Sequence, residues 1–226
     1  FFGDEASTVW QRRRLERELG SSYRHVNQDI RDVDAVEGLF RQYGNDVALV
    51  IHTAAQPSHD WAARDPRTDF SINAQGTLNL LEAAAKAKAK AFVYASSSSV
   101  YGDSEVMPKD ESMVPQPKSP YAVSKLGGEF YCRVFSEIYG LRTVSLRYFN
   151  VFGPRQDPKG AYAAAVPIFI EKAVHNEPIT LFGDGEQTRD FIFVKDIVGP
   201  KGSVSLVPND EARQDANALS DSADID

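Results

Sequence analysis

The chain has 226 residues, of which 42% are hydrophobic and 25% are charged, so it can bury a substantial core and is not disordered as a whole. Its net charge of −7 argues against binding to nucleic acid or to an anionic membrane. No apolar run approaches the roughly 20 residues of a membrane span, and one cysteine with four scattered histidines offers no metal site. Composition therefore predicts a cytoplasmic globular protein without a nucleic-acid, membrane or metal partner.

Helix-like and strand-like segments alternate through the first 150 residues, which is the pattern of a parallel sheet with helices on its faces. Helices are predicted at residues 7–19, 33–43, 69–90 and 120–139. Strands are predicted at residues 23–27, 47–52, 91–95 and 143–148. Asp32 and Ser119 are typical N-cap residues, and Gly140 marks a helix end. This order predicts an α/β fold.

The pattern is looser in the remainder of the chain. A helix is predicted at residues 163–175, and short strands are predicted at 179–182 and 191–194. Residues 199–226 contain six acidic residues, two basic residues and no aromatic residue. Such a composition does not support a packed core, so we expect a disordered acidic tail.

Tyr121 and Lys125 lie four residues apart on the predicted helix that follows Ser119, so their side chains share one face. An ammonium near a phenol favours the phenolate, which allows a tyrosine to act as a general base. The preceding strand runs into four serines, residues 96–99, and a hydroxyl there can reach the same point. Taken alone, the pair is also compatible with two ordinary surface residues.

Further motifs accompany this pair in a fixed order. The serines continue into Val100, Tyr101 and Gly102, residues 146–155 read LRYFNVFGPR, and residues 182–191 read FGDGEQTRDF. With these motifs, residues 20–198 closely resemble the NAD-dependent nucleotide-sugar epimerases and dehydratases, which are extended short-chain dehydrogenase/reductases. The resemblance implies a Rossmann-like, doubly wound parallel sheet, an NAD cofactor and a nucleotide-sugar substrate.

Matching the family's motifs residue by residue assigns a role to each site position. Ser97, Tyr121 and Lys125 would be catalytic: Ser97 would bond the reacting sugar hydroxyl, Tyr121 would take its proton, and Lys125 would hold the nicotinamide ribose. The residues expected to bind the cofactor are Asp29, Ile30, Ala54, Ala55, Gln56, Asn73, Tyr121 and Lys125. The residues expected to bind the substrate are Ser97, Asn150 and Arg189.

The residues themselves leave structural roles open at several of these positions. Asp29 can cap a turn, Asn73 can bond a backbone group, and two small alanines can serve close packing. Arg189 can form an ion pair with Asp184 or Glu186 as well as meet a diphosphate. Of the remaining candidates, His52 is expected to be a core histidine, and His59 either lines the sugar pocket or fills a loop.

The substrate assignment stays divided. From residue 93 onward the chain resembles the UDP-sugar 4-epimerases that act on UDP-glucose, UDP-N-acetylglucosamine or UDP-glucuronate. Residues 51–61 are more similar to the CDP-paratose 2-epimerases. A dehydratase is disfavoured, because Ser98 and Ser99 stand where 4,6-dehydratases carry an Asp-Glu pair.

One departure from the family pattern is the lack of a strand, glycine-rich turn and helix for the pyrophosphate. The only Gly-x-Gly, at Gly183 and Gly185, precedes a strand-like segment instead of a helix. We therefore expect a partial NAD-binding domain at residues 1–160 that lacks the first βαβ elements, and a partial substrate-binding lobe at 161–198. A catalytically silent fragment or an interaction module stays the alternative. The family also implies a homodimer, paired through the helices predicted at 69–90 and 120–139.

Overall fold

The computed structural model describes residues 5–159, 164–181, 183–198 and 206–207. The chain divides into two compact units, residues 28–149 with the C-terminal segment and residues 1–27 with 150–198. The predicted domain boundaries at residues 160 and 198 stay predictions.

The larger unit is built on a four-stranded sheet with the order β1-β2-β3-β6. Its strands are β1 (Leu49–His52), β2 (Ala91–Ser97), β3 (Thr143–Tyr148) and β6 (Leu206–Val207). The first three strands are parallel, with Ile51 opposite Val93 and Ser97 opposite Tyr148, and β6 is antiparallel to β3. The predicted α/β class with a parallel sheet is confirmed.

Helices alternate with the parallel strands of this unit along the chain. They are α2 (Val33–Tyr43), α3 (His59–Arg64), α4 (Pro66–Phe70), α5 (Gly76–Lys86) and α6 (Pro120–Tyr139). The alternating burial of β2 turns Phe92 and Tyr94 toward the helices, where they join an apolar core with Leu81, Ala84, Cys132, Phe135 and Leu141. Both predicted helices 33–43 and 120–139 begin and end at the predicted residues, because Asp32 and Ser119 cap them and Gly140 adopts a left-handed conformation.

The smaller unit contains α1 (Glu5–Leu19), a two-stranded parallel sheet, α7 (Ala165–Val174) and α8 (Val194–Val198). Its two strands are β4 (Asn150–Phe152) and β5 (Phe191–Phe193). The helix predicted at 163–175 is α7, although residue 163 lies outside the described residues. The expected disordered tail at 199–226 also lies outside them, apart from β6.

Two predicted strands are wrong in the described structure. Residues 23–27 form no strand, because no described strand offers them hydrogen-bonding partners. Residues 179–181 are irregular for the same reason, and residue 182 is not described. The helix predicted at 69–90 is confirmed at residues 69–86: it consists of α4, which begins at Pro66, a π-helical turn at Ser71–Gln75, and α5, which ends at Lys86.

Candidate active site

Helix α6 places Tyr121 and Lys125 in the interior of the larger unit. The Ser119 hydroxyl accepts the Ala122 backbone N–H at 3.2 Å, and Pro120 occupies the first helical position, so the helix begins immediately before Tyr121. Tyr121 is 8% exposed and Lys125 is 3% exposed. The Lys125 ammonium lies 5.9 Å from the centroid of the Tyr121 ring. The predicted shared face is therefore observed, and it is buried.

Lys125 has few partners for a buried cation. Its Nζ donates a hydrogen bond of 2.9 Å to the carbonyl of Ala95 in β2 and lies 5.2 Å from the ring centroid of Tyr94. Burial lowers the pKa of Lys125 to about 8, against the opposing charge of Asp69. Since an ammonium has three N–H donors, the described residues leave capacity for ligand oxygens.

Ser97, the last residue of β2, lies beside Tyr121. Its Oγ accepts hydrogen bonds from the Ser99 backbone N–H at 3.2 Å and from the Ser99 hydroxyl at 2.9 Å. Burial raises the pKa of Tyr121 above 10.0, while a hydrogen bond with Ser97 lowers it and the charge of Asp69 raises it further. The sequence predicted a shift toward the phenolate, and this prediction is wrong for the protein alone because desolvation of the phenol dominates.

A buried polar network joins the end of β1 to the helices. The Gln56 backbone N–H donates to Asn73 Oδ1 at 2.8 Å, and Asn73 Nδ2 donates to the Gln56 carbonyl at 2.9 Å. The Gln56 amide also donates to Asp69 at 2.8 Å. Asn73 therefore fixes the segment that follows β1, which is the structural alternative that the sequence left open for this residue. Ala54 is exposed and Ala55 is half-buried beside Gln56.

The sequence assigned no role to Asp69, which lies beside this site, and it left two roles open for His59. Asp69, which is 1% exposed, shares the network with Gln56 and Asn73. Its signal was the four-residue spacing from Asn73, which places both on one helical face. The ring of His59 on α3 packs edge-on against Tyr121 at 4.7 Å between centroids, and its Nδ1 lies 2.8 Å from the Ser119 hydroxyl.

Other predicted cofactor residues, Asp29 and Ile30, lie elsewhere in the larger unit, in the turn before α2. The Asp29 carboxylate pairs with the Arg31 guanidinium at 2.6 Å and accepts the Arg31 backbone N–H at 2.9 Å, and these bonds lower the pKa of Asp29. The carbonyl of Ile30 accepts a hydrogen bond from the Asn79 side chain at 2.9 Å. Ile30 also packs against Gly76 so closely that a Cβ there would overlap it. The turn-capping alternative for Asp29 is thus observed.

The predicted substrate residues Asn150 and Arg189 belong to the smaller unit. The Asn150 side-chain amide donates to the Asp190 carbonyl at 3.0 Å, which reinforces the pairing of β4 with β5. The Arg189 guanidinium donates to the Thr188 carbonyl at 2.7 Å. Each is positioned locally by backbone contacts.

His52 is a core histidine, as predicted. It is 3% exposed, its Nε2 lies 2.9 Å from the Thr77 hydroxyl, and burial lowers its pKa to about 3. Within the described ranges, no cluster of three or more metal-ligating side chains occurs. No helix among those residues has the length and hydropathy to cross a bilayer.

The parallel α/β sheet and the buried tyrosine and lysine of α6, beside the second strand, are features of the extended short-chain dehydrogenase/reductases. Consistent with this class, a model of the NAD dependent epimerase/dehydratase family matches residues 3–199. The chain belongs to that family.

Comparison with single proteins gives the same result. A provisionally named UDP-glucose 4-epimerase of Methanocaldococcus jannaschii is 44% identical over 173 residues, which are 76% of this chain and 55% of the relative. The crystal structure of Thermotoga maritima UDP-glucose 4-epimerase with UDP-glucose is 36% identical, with a TM-score of 0.75, and the match covers 88% of this chain and 69% of that one.

A third similar protein was solved with both of its ligands. It is the UDP-glucuronic acid 4-epimerase of Bacillus cereus, in complex with UDP-glucuronic acid and NAD. It is 34% identical with a TM-score of 0.72, and the match covers 84% of this chain and 58% of that one. The chain spans little more than half the length of its Methanocaldococcus jannaschii relative.

Proposed function

We propose that this protein catalyses NAD-dependent epimerisation of a nucleotide-diphosphate sugar, of the UDP-glucose, UDP-N-acetylglucosamine or UDP-glucuronate 4-epimerase type. The observation that carries the proposal is the meeting of Ser97, Tyr121 and Lys125 at one end of β2, in a member of the epimerase family. A hydroxyl, a phenol and an ammonium at one point are the groups needed to hold a sugar hydroxyl and move its proton.

The residues present fit the nicotinamide half of NAD. Lys125 is a buried ammonium with one hydrogen bond to a carbonyl, so it has donors for the ribose hydroxyls. The small side chains of Ala54 and Ala55 leave room beside the end of β1, and Asn73 holds the neighbouring Gln56 backbone. NAD, when bound, would supply a reversible acceptor of hydride from the sugar carbon.

Proton transfer then falls to this chain's own side chains. The Ser97 hydroxyl would orient the reacting sugar hydroxyl, and Tyr121 would take its proton and later return it. Because burial raises the pKa of Tyr121, the ionised phenol depends on nearby positive charge, which Lys125 provides on the same helical face. The predicted roles of Arg189 and Asn150 in holding the substrate stay predictions.

A CDP-paratose 2-epimerase is the second candidate. The segment that resembles those enzymes, residues 51–61, brings His59 against the Tyr121 ring. His59, from the segment that resembles the CDP-paratose 2-epimerases, therefore borders Tyr121, where it can influence which sugar is accepted.

A thermal melt with and without saturating NAD tests whether this chain binds the cofactor. A ligand that binds only the folded state at a hundredfold excess over its dissociation constant adds about 2.7 kcal/mol, and we expect a clear upward shift. The variant Lys125→Met should lose that shift. No shift for the unaltered chain would favour the alternative, a catalytically silent fragment or an interaction module.

Epimerisation assays on the three UDP-sugars and on CDP-paratose test the chemistry and the substrate. Tyr121→Phe should retain the fold and lose at least about a hundredfold in rate, because it lacks the proton-transferring hydroxyl. Unchanged turnover in this variant would contradict the assignment of Tyr121. Turnover of CDP-paratose alone would select the second candidate.

Helix α6 also supports the proposal of a homodimer. It exposes an apolar stripe at spacings of seven, four and four residues, formed by Val123, Phe130, Val134 and Ile138, which are 57%, 56%, 40% and 69% exposed. Val134→Asp should convert a dimer into a monomer in sedimentation velocity, whereas Val174→Asp on α7 should leave the mass unchanged. A monomeric unaltered chain would refute the proposal.

A further inference from the structure

Asp69 lies at the centre of the polar network behind the proposed catalytic groups. It is 1% exposed near the end of α4, and its Oδ1 accepts hydrogen bonds from Gln56 Nε2 at 2.8 Å and Asn73 Nδ2 at 2.9 Å. The π-helical turn at Ser71–Gln75 begins two residues later, and such turns are frequent at functional sites. A carboxylate at this depth is costly unless it is paired or fully hydrogen-bonded.

The network reaches α6 immediately before Lys125. Asn73 Nδ2 lies 3.3 Å from the Ser124 hydroxyl, and that hydroxyl donates to the Tyr121 carbonyl at 2.9 Å. Burial raises the pKa of Asp69, and hydrogen bonds from Gln56 and Asn73 together with the charge of Lys125 oppose the rise. The same network therefore joins the segment after β1, the π-helical turn and the helix that carries Lys125.

Among the other titratable groups around Lys125, Glu129 of α6 is paired with Arg147, and the remaining three are neutral at physiological pH. They come from each element packed against it: His52 from β1, Tyr94 from β2, and Tyr121 from α6 itself. Burial lowers the pKa of His52 to about 3 and raises the pKa of both tyrosines. Asp69 is thus the acidic group whose charge acts on the Lys125 ammonium.

We propose that Asp69 is a positioning residue of the active site, whose buried carboxylate holds the Gln56 segment against α6 and keeps Lys125 in its charged, donating form. This inference rests on the proposed function only in taking Lys125 as the group that holds the cofactor. A purely structural Asp69 would supply the same hydrogen bonds without any effect on the charge of Lys125. The two roles therefore differ in a measurable way.

The isosteric variant Asp69→Asn removes the charge and keeps an oxygen that accepts from Gln56 and Asn73. The matched control is Asp65→Asn, on the same short helix, where Asp65 is an N-cap that asparagine also serves. The protein is labelled with 13C at the lysine Cε atoms, the Lys125 signal is assigned with Lys125→Met, and its NMR shift is followed against pH. No NAD or sugar is needed for this measurement.

We expect the titration midpoint of Lys125 to fall by about one pH unit in Asp69→Asn and to stay unchanged in Asp65→Asn. An unchanged midpoint in folded Asp69→Asn would overturn the proposal, as would an equal fall in the control. If Asp69→Asn does not fold, Asp69→Thr keeps an acceptor oxygen and is neutral, and it should lower the midpoint in the same way.

The pH dependence of NAD binding gives a second readout. At pH 6.5 Asp69→Asn should bind NAD as the unaltered protein does, and at pH 8.5 it should bind about tenfold more weakly, because Lys125 loses its proton earlier. An equal loss at both pH values would indicate packing alone and overturn the role of the charge. If the unaltered chain binds no NAD, the proposed function fails for this chain, while the lysine titration still decides the role of Asp69.

Discussion

Lys125 and Glu129 are two buried charges one turn apart on α6, and they differ in the number and kind of their hydrogen-bond partners. The Glu129 carboxylate accepts two hydrogen bonds from Arg147, at 3.0 Å from Nε and 2.7 Å from Nη2, and a third from the Ser96 hydroxyl at 2.5 Å. Lys125 donates one hydrogen bond to a carbonyl. Both side chains are 5% exposed or less.

This difference separates a structural charge from one that is available to a ligand. A bidentate ion pair with a further donor compensates for the desolvation of Glu129, and it joins α6 to β2 and β3. Lys125 has no direct carboxylate partner among the described residues, so desolvation lowers its pKa to about 8. A buried cation with unused donors has the most to gain from an incoming oxygen.

Breaking the structural pair should produce the largest effect on stability. Arg147→Met leaves Glu129 buried with the Ser96 hydroxyl as its remaining partner, and we expect a loss of about 3–5 kcal/mol in the free energy of unfolding. Urea denaturation measures this loss.

An exposed ion pair on the same helix supplies the control for that measurement. Arg133 and Glu137 lie 3.0 Å apart, with side chains 63% and 55% exposed, and Arg133→Met should change the stability by no more than about 0.5 kcal/mol. Equal losses in the two variants would remove the distinction between buried and surface charge on α6.

The region around Lys125 should respond to acid through His52. Burial holds the pKa of His52 at about 3 in the folded protein, below the ordinary 6.5. Between these pH values the unfolded chain therefore binds a proton that the folded protein does not bind. Stability is therefore lost as the pH falls below 6.5, by about 2 kcal/mol at pH 5. His52→Gln should show a correspondingly smaller loss between pH 7 and pH 5 in chemical denaturation.

A histidine on the surface tests whether this effect belongs to burial. His175 follows α7 and is exposed, so His175→Gln should leave the acid-dependent loss unchanged. The expectation fails if His52→Gln and the unaltered protein lose the same free energy on acidification.

Two adjacent glycines between Lys125 and Glu129 allow the packed face of α6 to be compared with its open face. A Cβ at Gly128 would overlap the hydroxyl end of Tyr94, so Gly128→Ala should destabilise the fold by about 1–3 kcal/mol. A Cβ at Gly127 meets nothing within 4 Å, and Gly127→Ala should stabilise the helix by about 1 kcal/mol. Denaturation at low protein concentration measures both, and changes of the same sign would contradict the assignment of faces.

The smallest expected effect concerns the start of α6. Ser119→Ala removes the N-cap bond to Ala122 and the contact with His59, and it should cost about 1 kcal/mol. Ser112→Ala, at an exposed Asx turn in the preceding loop, is the control and should cost less. A larger loss in the control would show that capping does not limit the stability of this helix.

The sequence predicted those features that local chemistry controls. Helices α2 and α6 lie at the predicted residues, because an N-cap side chain and a left-handed glycine act within one turn of the chain. The shared face of Tyr121 and Lys125 follows from helical periodicity in the same way. The predicted strand at 23–27 failed because a strand needs a partner, which the segment itself does not contain.

The amino-acid sequence by itself thus determined the α/β class and the family, and it led to the residues proposed to carry the chemistry, since these follow from periodicity, capping and motif order. Only the tertiary structure decided their protonation and their partners. Desolvation raises the pKa of Tyr121 and lowers that of Lys125, and long-range packing brings Asp69 into one network with Gln56 and Ser124. Burial and contacts between distant residues set these properties, and neither is encoded in any local segment.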